Sequence, residues 1–285
     1  MEIQPTPFTP RHPLLQKHLQ YYYFLKTDSS QFETQYYAFP STNTVLNIHQ
    51  KAKCQIQDYH TRVFEDPSQP NLAIVQGMRE LPLRAHLQGR LDKVTIIFHP
   101  LGLNHFLSVP FLEVAPKDSQ LFTAWDALPE YHQFLNAFYA TQDNTERAQT
   151  LEDFLLSVYR PFPEYEVLQE AITLLTQFDE ELPVEEIAQH LKLHPRTFHR
   201  LFKKHVGISP VGYRKVARFR HSLNNKLVDA QFQKLTQLGY ASNFYDQAYF
   251  NKVYKQFTGS NPSTFFSSID TMANDKLIFQ FVQEK

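Results

Sequence analysis

The sequence predicts an α+β protein with two parts, a β-rich N-terminal domain followed by an all-α C-terminal domain. Three observations lead to this prediction. The first hundred residues are dominated by short aromatic and β-branched runs, the apolar spacing becomes helical from about residue 120, and a helical pattern near residue 200 returns 52 residues later. A chain of 285 residues is also long enough for about two domains.

The predicted strands of the N-terminal part are bounded by Pro, Asn, Asp and Ser, which is typical of a sandwich or a cupin-like barrel. They cover residues 21–27, 31–39, 44–50, 72–78 and 94–100. Helical spacing then predicts a helical extension of this domain after about residue 120. Two prolines in RPFPEY, residues 160–165, favour a domain boundary there. The predicted domains are residues 1–162 and 163–269, followed by a tail, residues 270–285, that could form an extra helix.

The repeated pattern consists of HPRTFHRLFKKHVGISP, residues 194–210, and DQAYFNKVYKQFTGSNP, residues 246–262. In each copy, apolar residues recur every three or four positions, as on the buried face of a helix. Residues suited to helix ends flank them, with glycines as C-caps and Asp, Ser or Asn as N-caps: Gly207, Gly259, Asp246, Ser209 and Asn261. Each copy therefore predicts a helix, its end and the start of another helix.

A short helix is predicted immediately before each copy, at residues 184–192 and 235–243. A short helix, a tight turn and a second helix with an exposed polar face form a helix-turn-helix, and the chain is predicted to have two of them. Residues 209–227 are predicted to form one continuous helix between the units. On that helix, Arg218 and Arg220 are expected either to hold neighbouring helices together or to contact phosphate.

The charge of the chain is strongly asymmetric. Residues 192–255 contain 13 Lys and Arg against two Asp, a net charge of +11, although the whole chain has a net charge of -1. Such a segment favours a polyanionic partner. The second helix of a helix-turn-helix enters the major groove of DNA, where Arg suits guanine and Asn or Gln suits adenine. The predicted base-contacting residues are Arg196, His199, Arg200, Gln247, Asn251 and Lys252, and the predicted phosphate-contacting residues are Lys203, Lys204 and Lys255.

Residues 164–268 resemble the AraC/XylS family of bacterial transcriptional regulators, most specifically in NFYDQAYFNKVYKQFTGSNPSTF, residues 243–265. The resemblance implies a sequence-specific regulator that binds double-stranded promoter or operator DNA. It also implies an N-terminal domain, similar at residues 74–110, that senses a small-molecule effector or mediates self-association. RNA polymerase and a second copy of the chain are further candidate partners. The chain departs from the family at Lys192 and Asn243, where glycine is usual, and at His194, where Ser or Thr is usual.

Other classes of protein are less well supported by the sequence. We find no membrane-spanning run, no secretion signal and no catalytic or phosphate-loop motif, so we expect a cytoplasmic protein that is not an enzyme and has no cofactor or metal. The lone Cys54 excludes an intrachain disulfide. The alternative is a cupin-like metal-binding protein or enzyme with an accessory DNA-binding domain. It depends on five histidines of the β-rich half, His49, His60, His86, His99 and His105, which lack the close spacing of a metal site.

Overall fold

The computed structural model describes residues 6–116, 118–227, 239, 242, 244, 246–272 and 277–282. Two six-stranded sheets pack face to face, and the N-terminal part supplies ten of their strands. The C-terminal part is otherwise helical and supplies the last two strands. The predicted α+β class, with a β-rich part followed by a helical part, is confirmed. The predicted domain bounds stay a prediction.

The first sheet is antiparallel throughout. Its strands, in spatial order, are β1 (Pro7–Phe8), β2 (Leu19–Lys26), β9 (Asp92–Phe98), β4 (Thr44–His49), β7 (Leu72–Gln76) and β10 (Gln120–Leu121). The central strand β9 is buried along its whole length, because one face of this sheet is covered by helices and the other by the second sheet. Residues at alternate positions of β9 therefore contribute to two different interiors.

The second sheet contains one parallel pair, β6 with β8, among antiparallel ones. Its spatial order is β11 (Asp270–Met272), β12 (Leu277–Phe281), β3 (Glu33–Ala38), β8 (Leu83–Gln88), β6 (His60–Glu65) and β5 (Ala52–Gln57). The five strands predicted from sequence correspond to β2, β3, β4, β7 and β9. Strands β5, β6 and β8 were not predicted, because polar and charged residues leave no long apolar run in them.

Helices cover the outer face of the first sheet and then form the C-terminal part. The first group comprises α1 (Pro13–Gln16), a 3-10 helix (Gly102–Phe106), α2 (Phe111–Val114), α3 (Pro129–Ala140) and α4 (Asn144–Val158). The second group comprises α5 (Tyr165–Leu175), α6 (Val184–His190), α7 (Pro195–Val206), α8 (Pro210–Leu227), α9 (Gln247–Thr258) and α10 (Pro262–Phe266). The predicted change from strands to helices after residue 120 is confirmed.

Gly102 fixes the connection between strand β9 and the 3-10 helix. A Cβ atom at this position would lie 2.1 Å from the carbonyl oxygen of His18, a distance that no side chain tolerates. Only glycine therefore lets the chain pass this close to the end of α1. The turn brings the 3-10 helix, and α2 behind it, beside the C-terminal part of the chain.

The prediction of an extra helix in the tail is wrong. Residues 270–272 and 277–281 form strands β11 and β12, and β12 pairs with β3 of the N-terminal sheet. The residues Leu277–Phe281, LIFQF, combine aromatic and β-branched side chains, and an unpaired sheet edge at β3 supplies the backbone hydrogen bonds. The chain therefore returns to its N-terminal domain after the second helix-turn-helix.

The described part of the chain has no helix that is both long and apolar enough to cross a membrane.

Candidate nucleic-acid interface

The first helix-turn-helix unit, formed by α6 and α7, has the predicted geometry. Phe198 and Phe202 on α7 are fully buried in a core that also includes Ile187 and Ala188 of α6. The small Ala188 side chain permits the two helices to approach closely. The turn between them uses a left-handed residue, Lys192, with φ of 56°. Lysine thus occupies the conformation for which glycine is better suited.

Both ends of the recognition helix α7 are capped. The ring nitrogen Nδ1 of His194 accepts a hydrogen bond from the backbone N–H of Arg196 at 3.3 Å, so histidine replaces the usual Ser or Thr. Pro195 occupies the first helical position. At the other end Gly207 has φ of 88°, and its N–H donates to the carbonyl of Lys203 at 3.0 Å. The predicted start and end of this helix are confirmed.

The solvent face of α7 carries the predicted DNA-contacting residues. Arg196, Arg200, Lys203 and Lys204 are exposed, and His199 is half-buried. Among the described residues, no carboxylate forms an ion pair with any of these four cations. Their charges are therefore not neutralised within the described part of the chain and are available to an external anion.

The second unit is described from its recognition helix α9 onward. The carboxylate of Asp246 accepts a hydrogen bond from the N–H of Tyr249 at 2.7 Å, and Asn261 caps α10 in the same way at 3.0 Å. Gly259 ends α9 with φ of 79°. These predicted caps are confirmed. The predicted preceding helix, residues 235–243, and the turn residue Asn243 lie outside the described residues, apart from residues 239 and 242.

The solvent face of α9 differs in chemistry from that of α7. Asn251, Lys252 and Lys255 are exposed, and Gln247 is half-buried. The amide Nε2 of Gln247 lies 3.4 Å from Oδ1 of Asn251, one turn along the helix. This arrangement places two amide groups side by side at the N-terminal half of the helix, where a helix-turn-helix contacts base edges.

The connecting helix α8 is continuous from Pro210 to Leu227, as predicted, but four of its five cations, Arg214, Lys215, Arg218 and Arg220, are engaged within the protein. Arg214 and Arg218 both bond to the carboxylate of Glu181, and Arg214 also donates to the carbonyl of Leu182 at 2.6 Å. Arg220 donates to the carbonyls of Pro40 and Phe39 at 2.6 and 3.1 Å. Arg218 and Arg220 thus make intramolecular contacts with the loop before α6 and with the Phe39 segment, rather than with a neighbouring helix.

The segment around Phe39 joins the N-terminal domain to the second unit. Arg79 donates to the carbonyls of Ala38 and Phe39, both at 3.2 Å, so two guanidinium groups hold this short segment. Burial lowers the pKa of Arg79 and of Arg220 to about 10, and both groups stay charged at neutral pH. The Phe39 ring packs edge-to-face on Phe265 with ring centroids 4.9 Å apart, inside the core of the second unit.

The first unit meets the N-terminal domain at the C-terminal end of α7. The amide of Asn104 donates to the carbonyl of His205 at 3.0 Å, and the His205 ring lies 4.8 Å from that of Phe162. A Cβ atom added to Gly207 would lie 3.0 Å from the ring of Phe111 on α2, so the two segments are in close contact. The recognition helix is therefore attached directly to the N-terminal domain, with its N-terminal half free.

The residues that make these attachments are not evident from the sequence: Phe39, Arg79, Asn104, Glu181 and Leu182. Each contacts a partner far away along the chain, and single-sequence patterns report only local spacing. Among the residues that the structure describes, no group of three or more His, Cys, Asp or Glu side chains is arranged to hold a metal ion. The histidines of the β-rich half are distributed over several strands and loops instead.

Comparison with known proteins places the C-terminal part in a family. Residues 187–268 match the family model described as "Helix-turn-helix domain". The chain is 30% identical over 97 residues to the arabinose operon regulatory protein of Escherichia coli (strain K12), which covers 34% of this chain and 32% of that protein. The corresponding protein of Salmonella typhimurium is 31% identical over 87 residues, or 30% of each chain. The chain thus spans about a third of the length of these curated relatives.

Similarity to solved structures is weaker. The unsaturated fatty acid bound wild-type ToxT from Vibrio cholerae gives a TM-score of 0.44 at 15% identity, covering 86% of this chain and 94% of that chain. An AraC-type transcriptional regulator from Chromobacterium violaceum gives 0.32 at 24% identity, covering 35% of this chain and 89% of that one. The sequence similarity is thus confined to the C-terminal part of the chain, which contains a helix-turn-helix domain similar to a segment of the arabinose operon regulatory proteins.

Proposed function

We propose that the protein is a sequence-specific transcription regulator that binds double-stranded DNA through α7 and α9. The observation that carries this proposal is the exposure of the predicted contact residues on two capped helices, with the cations free of carboxylates among the described residues. Arg196, Arg200 and Asn251 have the hydrogen-bonding groups that suit guanine and adenine edges. Lys203, Lys204 and Lys255 lie farther along the helices, where phosphates pass.

The proposal assigns the N-terminal domain to sensing a small-molecule effector. Its contacts with α7 and, through Phe39, with the core of the second unit give such a molecule two routes to the DNA-binding helices. An effector would shift the orientation of the units only by the difference between its affinities for two arrangements of the chain. The remaining proposed partners are a promoter or operator, RNA polymerase and a second copy of the chain. The proposed location is the cytoplasm, with no membrane attachment and no enzymatic activity.

Selection of bound fragments from random DNA, followed by binding measurements on the selected site, tests the proposal. Arg200→Ala and Asn251→Ala should each weaken binding by about 1–3 kcal/mol and relax the preference at one base position. Lys203→Ala should weaken binding to all sequences alike and reduce the slope of log affinity against log salt by about 1. The matched control is Lys53→Ala, an exposed lysine of β5, which should bind as the wild type does. Equal affinity for every duplex would reject sequence specificity.

A further inference from the structure

The C-terminal strand β12 completes a sheet of the N-terminal domain. It pairs with β3 in antiparallel register, with Phe279 opposite Ala38 and Phe281 opposite Tyr36. Phe279 is 5% exposed, and its ring lies edge-to-face on that of Tyr36 with centroids 5.9 Å apart. Without β12, strand β3 would be the edge of the second sheet, with backbone groups that lack a strand partner. The pairing therefore fixes the end of the chain to the N-terminal domain through backbone bonds and a buried ring.

The tail is also bonded to the second helix-turn-helix unit. The side-chain amide of Gln280 donates to the hydroxyl of Ser268 at 3.0 Å. That hydroxyl in turn donates to the carbonyl of Thr264 in α10 at 2.8 Å. Phe265, the next residue of α10, is fully buried in the core that supports α9. A chain of two hydrogen bonds thus connects strand β12 with the unit that carries α9.

The second unit is therefore anchored before and after its recognition helix, and both anchors lie on one segment of the N-terminal domain. Before α9, the guanidinium of Arg220 donates to the carbonyls of Phe39 and Pro40, which directly follow β3. After α9, the tail pairs with β3 itself. A rigid body held at one point can still turn about that point, whereas a second attachment removes most of this freedom. Residues 33–40 and the tail thus fix the orientation of α9 relative to the N-terminal domain.

A fixed orientation of α9 favours DNA binding through preorganisation. The N-terminal domain also holds the first unit, at α7, through Asn104 and Phe111, so it restrains both recognition helices. A helix that is already oriented loses less rotational freedom when it enters the groove. Once α7 is bound, α9 then meets the same duplex at a high effective concentration. A second unit attached only through α8 would instead have to be ordered on the DNA.

We infer that the C-terminal hairpin of β11 and β12 is a brace that positions α9 for DNA, with Phe279 as a positioning residue that does not itself contact DNA. This inference rests on the proposed function. It makes the N-terminal sheet part of the scaffold on which the second recognition helix is held. The base contacts stay with Asn251 and its neighbours on α9. The brace should therefore change how tightly the half-site of α9 is bound, without changing which bases are preferred there.

Binding of full-length Phe279→Ala to two duplexes of equal length tests the brace. One duplex carries the whole selected site, and in the other the half-site of α9 is scrambled. Affinity for the intact site should fall about tenfold, because α9 must be ordered on binding, and affinity for the scrambled one should stay within about twofold. The control is Val63→Ala, a buried residue of β6 in the same sheet that two strands separate from β12. It should bind both duplexes as the wild type does.

A disulfide between the two strands decides the matter even if Phe279→Ala does not fold. Tyr36→Cys and Phe281→Cys place two cysteines opposite each other, in a Cys54→Ser background that leaves no other thiol. The oxidised form should keep the wild-type affinity for the intact site. The reduced form lacks the aromatic contact with Phe279 and should bind more weakly. Amide protection of residues 247–258 should fall on reduction, and that of residues 195–206 should not.

The inference is overturned if Phe279→Ala binds the intact site as the wild type does, or if it loses as much affinity for the scrambled duplex. It is also overturned if the oxidised disulfide form binds no more tightly than the reduced form. Weaker binding by the oxidised form would mean that the paired tail opposes DNA binding. A wild type without sequence preference rejects the regulator, whereas sequence-specific binding that is insensitive to Phe279 and to the disulfide rejects the brace alone.

Discussion

The two helix-turn-helix units present similar exposed helices but are attached to the N-terminal domain in different ways. The first is held at α7 itself, by Asn104 and by the packing of Phe111 against Gly207. The second is held through the Phe39 ring and through Arg220 on α8, and α9 itself adds a long hydrogen bond from Gln256 to the carboxylate of Glu80 at 3.5 Å. A change in the N-terminal domain would reach α7 directly and α9 mainly through its supporting core. An effector bound in the N-terminal domain would therefore act more directly on the first unit than on the second.

The largest effect is expected from removing the ring that joins the second unit to the N-terminal domain. Phe39 is almost completely buried and packs in the same core as Phe219 and Phe265. Phe39→Ala should lower the free energy of unfolding by about 3–5 kcal/mol, since it removes apolar contacts and leaves a cavity. Urea denaturation followed by circular dichroism measures this. The control is Val211→Ala on α8, where the side chain is 59% exposed and the change should stay within about 0.5 kcal/mol. A loss below about 1 kcal/mol for Phe39→Ala would show that the attachment does not depend on this ring.

Acid should loosen the first unit before the second. Three buried imidazoles lie near the place where the first unit meets the N-terminal domain, with His205 on α7 itself and His105 on the other side of the Phe162 ring. Burial lowers the pKa of His18 to about 4 and also lowers the pKa of His105 and of His205. The rings of His18 and His105 are 3.9 Å apart between centroids, and Glu164 lies 3.9 Å from His205. Because the folded pKa values are depressed, these groups stabilise the fold above about pH 6.5. That stability is lost as the pH falls from there towards 4.

Amide hydrogen exchange compared at pH 7 and pH 5, corrected for the intrinsic rates, measures this difference. Protection of residues 195–206 should fall more than that of residues 247–258, because His205 lies on α7 and the described contacts of the three rings do not include the second unit. His18→Gln should reduce the loss, whereas His190→Gln, at an exposed ring, should not. Equal loss of protection in both helices would mean that protonation acts on the whole protein rather than on one attachment.

The caps of the two recognition helices should differ in strength. Asp246 accepts from a backbone N–H at 2.7 Å and places a negative charge at the helix N-terminus, whereas His194 accepts through a neutral ring nitrogen at 3.3 Å. We expect Asp246→Ala to lower the free energy of unfolding by about 1–2 kcal/mol and His194→Ala by less than about 0.5 kcal/mol. Denaturation of both variants at pH 7.5 checks the order. The opposite order would show that the histidine cap is the stronger one.

The parts of the fold that follow from local spacing were predictable, and those that depend on distant contacts were not. The caps at Gly207, Asp246 and Asn261 could be located from the sequence, because a cap is a relation between residues two to four positions apart. The strands of the tail were missed because β12 depends on the edge of β3, more than two hundred residues earlier.

The smallest effect is expected at the turn of the first unit, where Lys192 has φ of 56°. A non-glycine residue is destabilised by roughly 1–2 kcal/mol in this conformation. Replacing it with glycine removes this strain but also increases the conformational entropy of the unfolded chain, so only part of that energy is gained as stability. Lys192→Gly should therefore raise the free energy of unfolding by about 0.5–1 kcal/mol. The matched control is Lys203→Gly, inside α7, which should lower it by about 1 kcal/mol. If Lys192 serves only the turn, the salt dependence of DNA binding will be unchanged in Lys192→Gly; a shallower slope would instead add this lysine to the phosphate contacts of the first unit.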